Sequence, residues 1–336
     1  MKHRVIFKTS LGDEIFYLKD TLFVKFSTKR CGISTSKLNG GIHDNYQSVF
    51  NHHLSQENID YLTNHDVKEY LINHCREYLE IDYNYSTGLI TLAKMNHVSI
   101  IVKSFKNLEV TAITTAGVRT NASRAGDPSS YYEEYGKFGT INTIILTNVA
   151  LGNDTLIDAV MTATEAKAVA LNDLRIPSQY SNGYATGTGT DGIAIFSNME
   201  TDNVLSNAGK HSKLGELIAK SVIESTKKAI KKQVWITPKS QSNVLVRLNR
   251  YSLDINEFYD NLDYDKFEFI KLLQKEMKKQ NNVAVTSSIL NLIDEVENNL
   301  INKEDAQNLS NKILKENCNS YPIRKLLEYW IDYFIH

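Results

Sequence analysis

The period of hydrophobic and polar positions changes several times along the chain, and each change predicts an element. Val5-Ile6-Phe7, Glu14 to Tyr17 and Thr21 to Phe26 read as strands of a meander, because branched and aromatic side chains suit a pleated, half-buried surface. A turn-rich polar segment follows from Ile33 to Gly41. Val67, Tyr70, Leu71 and Tyr78 fall on one face of a helix predicted over 67–80. Apolar, β-branched runs at 98–104, 109–115 and 141–147, each bounded by polar or glycine residues, predict buried strands. The clearest helix is 155–174. Leu156, Val160, Ala163, Lys167 and Leu171 recur near helical spacing, Asn153 or Asp154 is placed to cap the first turn, and Pro177 stops it. Ala185 to Phe196 reads as a Gly/Thr-rich turn feeding a strand at 193–196. A second long helix is predicted over 212–233. Its Lys227, Lys228, Lys231 and Lys232 read as a solvated C-terminal end, where the helix dipole favours cations.

Strands followed by helices in this order predict an α/β or α+β layered domain. Pro238, Ser240 and Ser242 mark a joint, which divides the chain into 1–236 and 240–336. The second part predicts amphipathic helices at 264–280, 283–301 and 321–335, a small all-α region. These helices are read as packing on themselves or on the first part. A protein partner or a homo-oligomer contact through them is the sharper alternative.

Composition narrows the function classes. The 38 Lys+Arg against 39 Asp+Glu give a net charge of -1, without the basic excess of a nucleic-acid binder. Three scattered cysteines (31, 75 and 318) suit neither a disulfide framework nor a zinc ribbon. Asp13 and Glu14 interrupt any secretory core, and no apolar run is long enough for a membrane span. The expected compartment is the cytoplasm.

Four polar, glycine-containing segments stand beside apolar runs: Ser34–Gly41, Thr114–Asp127, Gly139–Thr143 leading to Thr147-Asn148, and Thr186–Asp191. Small hydroxyl, amide and glycine residues at strand ends let backbone amides approach a ligand, so the four are expected to share one polar pocket. Turn geometry alone is the plainer reading of each. The TGTGT run lacks a Walker lysine and the dinucleotide fingerprint. No metal or cofactor is expected: His43, His52 and His53 read as surface residues, and no HExxH or CxxC occurs. His211, just ahead of a helix, is a candidate to orient substrate or move a proton, or simply a polar helix entry.

Residues 111–127, TAITTAGVRTNASRAGD, resemble a block of the adenosylcobinamide amidohydrolase family (CbiZ). Residues 139–171, 186–195 (TGTGTDGIAI) and 209–219 (GKHSKLGELIA) are similar to further blocks in the same order, and 34–41 and 88–100 to its N-terminal ones. The likeness covers roughly 1–235; 240–336 has no counterpart. It implies a corrinoid-salvage enzyme that cuts the amide joining aminopropanol to the corrin ring, giving adenosylcobyric acid and 1-amino-2-propanol for cobalamin synthesis. The substrate itself carries the cobalt. The runner-up is a non-catalytic corrinoid sensor with the helical tail as its output.

Gly139 to Leu151 also looks like the nucleophile strand of the DmpA-type aminopeptidases. That more distant resemblance implies a sandwich of mixed sheets flanked by helices, with Thr140 at the nucleophile position. It also implies cleavage between Gly139 and Thr140, so that a freed α-amine serves as base. Without cleavage, Asp191 or His211 is the candidate to activate water. The plainer readings are a strand-start hydroxyl for Thr140 and a turn acceptor for Asp191. Asn39, Gly40, Thr115, Asn121, Asn142, Asn148, Thr188 and Thr190 are candidates to hydrogen-bond an oxyanion or the ligand's amides. Arg119 and Arg124 are candidates for its periphery, Asp127, Lys213 and Glu216 for substrate binding, and Tyr131, Tyr132 and Tyr135 either for its flat apolar area or for a plain hydrophobic loop contact.

Overall fold

The structure, a computed structural model, describes residues 5–131, 139–251 and 255–335. Tyr132 and Tyr135 lie outside them, and Tyr131 is 92% exposed. The chain forms two compact units, residues 1–180 with 184–236 and residues 181–183 with 237–336.

The first unit is built on thirteen strands among the described residues: β1 Val5–Lys8, β2 Glu14–Leu18, β3 Thr21–Ser34, β4 Gly41–His53, β5 Ser86–Thr91, β6 Ser99–Phe105, β7 Leu108–Ala116, β8 Ala122–Ser123, β9 Ile141–Thr147, β10 Ala150–Leu151, β11 Gly187–Thr188, β12 Gly192–Asn198 and β13 Val204–Leu205. Its helices are α1 Gln56–Leu62, α2 Val67–Asn73, α3 Asn153–Asp173 and α4 Lys213–Val234. Nine strands join one mixed sheet in the order β1-β2-β3-β12-β9-β7-β6, with β4 beside β3 and β5 beside β4.

That sheet curls on itself. Alternation sends Val110, Ala112, Ile145 and Ile195 to one face, where they pack on α3 and α4. It sends Ile113, Ile144, Leu146, Ala194 and Phe196 to the other, against Ile15, Leu22, Val24 and Val49 from β2, β3 and β4. Phe16, Phe23 and Phe50 point away from that contact, toward Leu71 of α2 and the π-helical turn His74–Leu79 that continues it. The layers therefore run helices, sheet, sheet, helices, the layered α/β sandwich. The two sheet layers belong to one continuous sheet, because the fourteen residues of β3 take part in both.

Local departures from the expected pattern have clear causes. The helix at 153–173 is capped by Gly152 without a side-chain bond, rather than by Asn153 or Asp154, which lie inside it. β3 runs through Ile33-Ser34 because β12 pairs with it there. His52, expected at the surface, is only 7% exposed. Its ring centre lies 4.0 Å from that of His74, with the planes tilted by 34°; Thr21 Oγ1 bridges His52 Nδ1 (2.9 Å) and His74 Nε2 (3.0 Å).

The second unit holds α5 Val244–Leu248, α6 Ile255–Asp260, α7 Lys266–Glu276, α8 Gln280–Glu297, α9 Lys303–Asn317 and α10 Tyr321–Ile335. They enclose Phe269, Ile289, Ile293, Leu326, Leu327 and Trp330. Among the described residues no helix is long and apolar enough to cross a membrane.

Candidate active site

Strand direction decides which polar segments meet. β9 and β12 are parallel and both begin at one edge of the sheet, where the antiparallel β7 and β3 end and β4 begins. The Ser34–Gly41, Gly117–Asp127, Gly139-Thr140 and Thr186–Asp191 segments all leave from that edge.

Three of them are stitched together directly. The main chain of Gly117 donates to the Thr140 carbonyl at 2.9 Å. Thr140, 8% exposed, holds its Oγ1 2.7 Å from Thr190 Oγ1. Around the adjoining Gly139 carbonyl stand two donors, Thr190 Oγ1 at 3.0 Å and Asn121 Nδ2 at 3.2 Å. Tyr180 OH donates to Asn121 Oδ1 at 2.7 Å, so the amide's orientation is set by its other end. Gly139 fits because an added Cβ would lie 2.9 Å from both Asn121 Cβ and the Gly117 carbonyl.

Asp191 anchors the start of β9. Its Oδ1 accepts from the Ile141 N–H (3.0 Å) and from Thr188 Oγ1, and its Oδ2 accepts from the Thr188 N–H (3.0 Å) and pairs with Lys167. Both partners are largely buried, with side chains 15% and 16% exposed. Gly187 leaves room for this pair: a Cβ there would lie 2.2 Å from Asp191 Oδ2.

A second polar network ties the two sheet layers at the same edge. Asn51 Nδ2 donates to Thr115 Oγ1 (2.8 Å), and Asn142 Nδ2 donates to Asn51 Oδ1 (2.8 Å) and to the Ile90 carbonyl (2.9 Å). All three side chains are buried. Beside it, Thr35 exchanges hydrogen bonds with the main chain of Ile193. A cleft of about 540 Å³ opens there, lined by residues that include Ser34, Lys37, Gly40, His43 and Lys68.

Other candidates are placed differently. The Asn39 amide is spent on the Tyr83 (2.6 Å) and Ser86 (2.9 Å) carbonyls, so it shapes the cleft wall. Gly40 is a close-packing position, since a Cβ would lie 2.1 Å from the Ser36 carbonyl. Asp127 closes its own turn by accepting from the Arg124 N–H (2.7 Å) and from Ser178 Oγ. The exposed Arg119 reaches the Val234 carbonyl at 3.4 Å.

His211, Lys213, Glu216 and Asn148 do not join this group. The start of α4 lies by the β6–β7 hairpin, where Lys213 sits over the Phe105 ring and Leu214 packs by Leu108. From Leu108 to Ala116 at the Thr140 edge is about 26 Å at roughly 3.3 Å per residue. It is the C-terminal end of α4 that reaches the site edge, with Ala229 and Ile230 packed by Ile141. Glu216 is held by Lys213 and Lys220, whose hydrogen bonds draw its carboxyl down to about 2. Asn148 braces the hairpin, accepting from the Glu109 N–H (2.8 Å) and donating to the Asn107 carbonyl (2.8 Å).

Sequence reasoning places Lys167 only on the helical stripe and does not mark it or Asn51 as a site residue. Lys167 had a readable signal, being the one charged residue on the apolar stripe of α3. Asn51 had none. Among the described residues, no three or more His, Cys, Asp or Glu side chains are grouped to hold a metal ion.

The adenosylcobinamide amidohydrolase family profile matches residues 6–238. An uncharacterized protein of Methanocaldococcus jannaschii is 33% identical over 229 residues, covering 63% of this chain and 86% of its own. An adenosylcobinamide amidohydrolase of Methanosarcina mazei is 30% identical over 151 residues, covering 42% of this chain and 64% of the relative. Among solved structures, a Pyrococcus horikoshii protein aligns over 75% of this chain and 92% of its own (12% identity, TM-score 0.34). A Burkholderia sp. β-aminopeptidase aligns over 69% and 82% (12% identity, TM-score 0.33). The profile match runs from β1 past the end of α4 and takes in every segment gathered at the Thr140 edge, so the chain belongs to the adenosylcobinamide amidohydrolase family, the amide hydrolases of corrinoid salvage.

Proposed function

We propose that this protein hydrolyses the amide linking aminopropanol to the corrin ring of adenosylcobinamide, releasing adenosylcobyric acid and 1-amino-2-propanol. The observation that carries the reading is a buried hydroxyl, Thr140 Oγ1, beside a carbonyl position served by two donors, Asn121 Nδ2 and Thr190 Oγ1. A nucleophile next to pre-aimed donors is what acyl transfer requires.

In the intact chain the Gly139 carbonyl occupies those donors. Hydrolysis of the Gly139–Thr140 bond would leave a Gly139 carboxylate, free the donors for a substrate carbonyl and give Thr140 an α-amine. That amine takes the hydroxyl proton as Oγ1 attacks the substrate's amide carbon. The C–N bond breaks, the leaving amine takes the proton, and water then hydrolyses the ester to the carboxylate. Asp191 is a positioning residue in this scheme, because its oxygens are engaged by the Ile141 and Thr188 main chain and by Lys167.

Purified protein incubated with adenosylcobinamide should yield adenosylcobyric acid by mass spectrometry. Thr140→Ala should abolish turnover and Thr140→Ser retain it. Binding without turnover would favour the sensing role instead. Intact mass separates the two base assignments: an active, uncut chain removes the α-amine and leaves Asp191 as the candidate to activate water.

A further inference from the structure

Trp235 is placed where stability alone gives no reason for a tryptophan. It terminates α4 in the left-handed conformation, φ 60° and ψ 20°, with its N–H donating to the Lys231 carbonyl at 3.0 Å. Glycine or asparagine is the usual residue there, because a Cβ crowds the backbone in that region. The other described non-glycine residues with positive φ are Lys19, Asn39, Glu80, Lys106, Arg175 and Asn299, all polar. Trp235 is also 76% exposed, so packing does not offset the strain; Trp330, by contrast, is 2% exposed. Strained backbone that carries a costly side chain is a mark of function.

Its location says which function. Val234 and Ile236, on either side, pack on the cluster that holds Ala116, Val118 and Ile141, at the edge where Thr140 lies. Arg119 donates to the Val234 carbonyl, and Gly117, two residues before Arg119, donates to the Thr140 carbonyl. The indole therefore stands exposed at the end of α4; the residues flanking it pack with Ile141, the neighbour of Thr140, and a guanidinium group is bonded to the preceding carbonyl.

We propose that Trp235 is a substrate-contact residue whose indole face takes a planar, conjugated part of the corrinoid whose amide is cut at Thr140. It rests on the corrinoid reading above. An indole offers a large, rigid, apolar surface at little entropic cost, and covering it removes apolar area from water on both partners. Two parts of the ligand have this chemistry, the corrin face and the adenine of the adenosyl group.

The test is Trp235→Gly and Trp235→Phe in the full chain, with binding of adenosylcobinamide and of cobinamide lacking the adenosyl group measured by calorimetry. Trp235→Gly is expected to unfold at the same temperature as wild type or higher, since the strain is relieved, yet to bind adenosylcobinamide about tenfold more weakly. KM should rise by more than kcat falls, and Trp235→Phe should recover most of the affinity. Weakening of both ligands assigns the corrin face; weakening confined to the adenosylated ligand assigns the adenine. Unchanged affinity in Trp235→Gly, or a fall in melting temperature alongside the lost binding, overturns the proposal while leaving the hydrolase reading intact. Failure of wild type to bind either corrinoid overturns both.

Discussion

The His52–His74 pair makes stability depend on pH in a defined direction. Both imidazoles are held neutral. Burial is the main cause, drawing His52 from the ordinary 6.5 to about 4, with the main chain of Asp20 opposing it. His74 is drawn to about 3, again by burial first, then by His52 and Lys19. A folded pKa below the unfolded one means the unfolded chain binds more protons between these values. The pair's contribution is therefore complete above the unfolded value and is lost as pH falls below it. At about pH 5 each histidine is almost fully protonated when unfolded and neutral when folded, which costs about 2 kcal/mol apiece, or about 4 kcal/mol together. That is a large part of the roughly 5–15 kcal/mol available to a typical domain. Both rings meet Thr21 Oγ1, and His52 Nε2 lies 2.8 Å from Tyr70 OH, so taking up a proton also forces these hydroxyls to change which partner they donate to. Urea unfolding of the full chain at about pH 7.5 and 5, followed by circular dichroism, reads the effect, because other groups titrate equally in a His52→Asn/His74→Gln variant. Wild type should lose about 4 kcal/mol more than the variant over this interval. An equal loss in both, or imidazole NMR titrations of the folded protein centred near the ordinary value, would refute the reasoning.

Asp191→Ala should destabilise by about 3–5 kcal/mol, because it orphans a largely buried Lys167 and two main-chain N–H donors, and the added Lys167→Met should restore part of the loss in thermal unfolding. Asn121→Ala should lower kcat by about 10²-fold, the usual cost of one aimed donor, with little change in secondary structure. Gly187→Ala should behave like a weakened Asp191 variant, since its methyl meets the carboxylate at 2.2 Å; a fully stable and active protein would contradict the packing described. His211→Ala should keep kcat/KM within about twofold, whereas a large loss would bring the start of α4 back into the chemistry.

Periodicity identified elements whose own side chains reveal their environment. The runs at 98–104, 109–115 and 141–147 became β6, β7 and β9, and the stripes at 155–174 and 212–233 became α3 and α4. Elements with few apolar residues escaped it. In α9 only Ala306, Ser310 and Leu314 are buried among many polar side chains, and β4 opens with the largely polar stretch Gly41 to Asn45. The glycine-rich segments could be recognised as unusual, and the resemblance to known blocks assigned them to a corrinoid enzyme, but their mutual placement could not be read.

What the sequence determined by itself was the local period, because a helix or strand face is written by residues a few positions apart. The tertiary structure alone decided that Thr140 meets Thr190, that Asn121 reaches Gly139, that Lys167 meets Asp191, and that His52 is buried on His74. It also decided that α4 brings Ile230, not His211, to the site edge. Those outcomes depend on strand direction and on which faces are buried together. They are set by pairings between residues far apart in the chain, which no local pattern encodes.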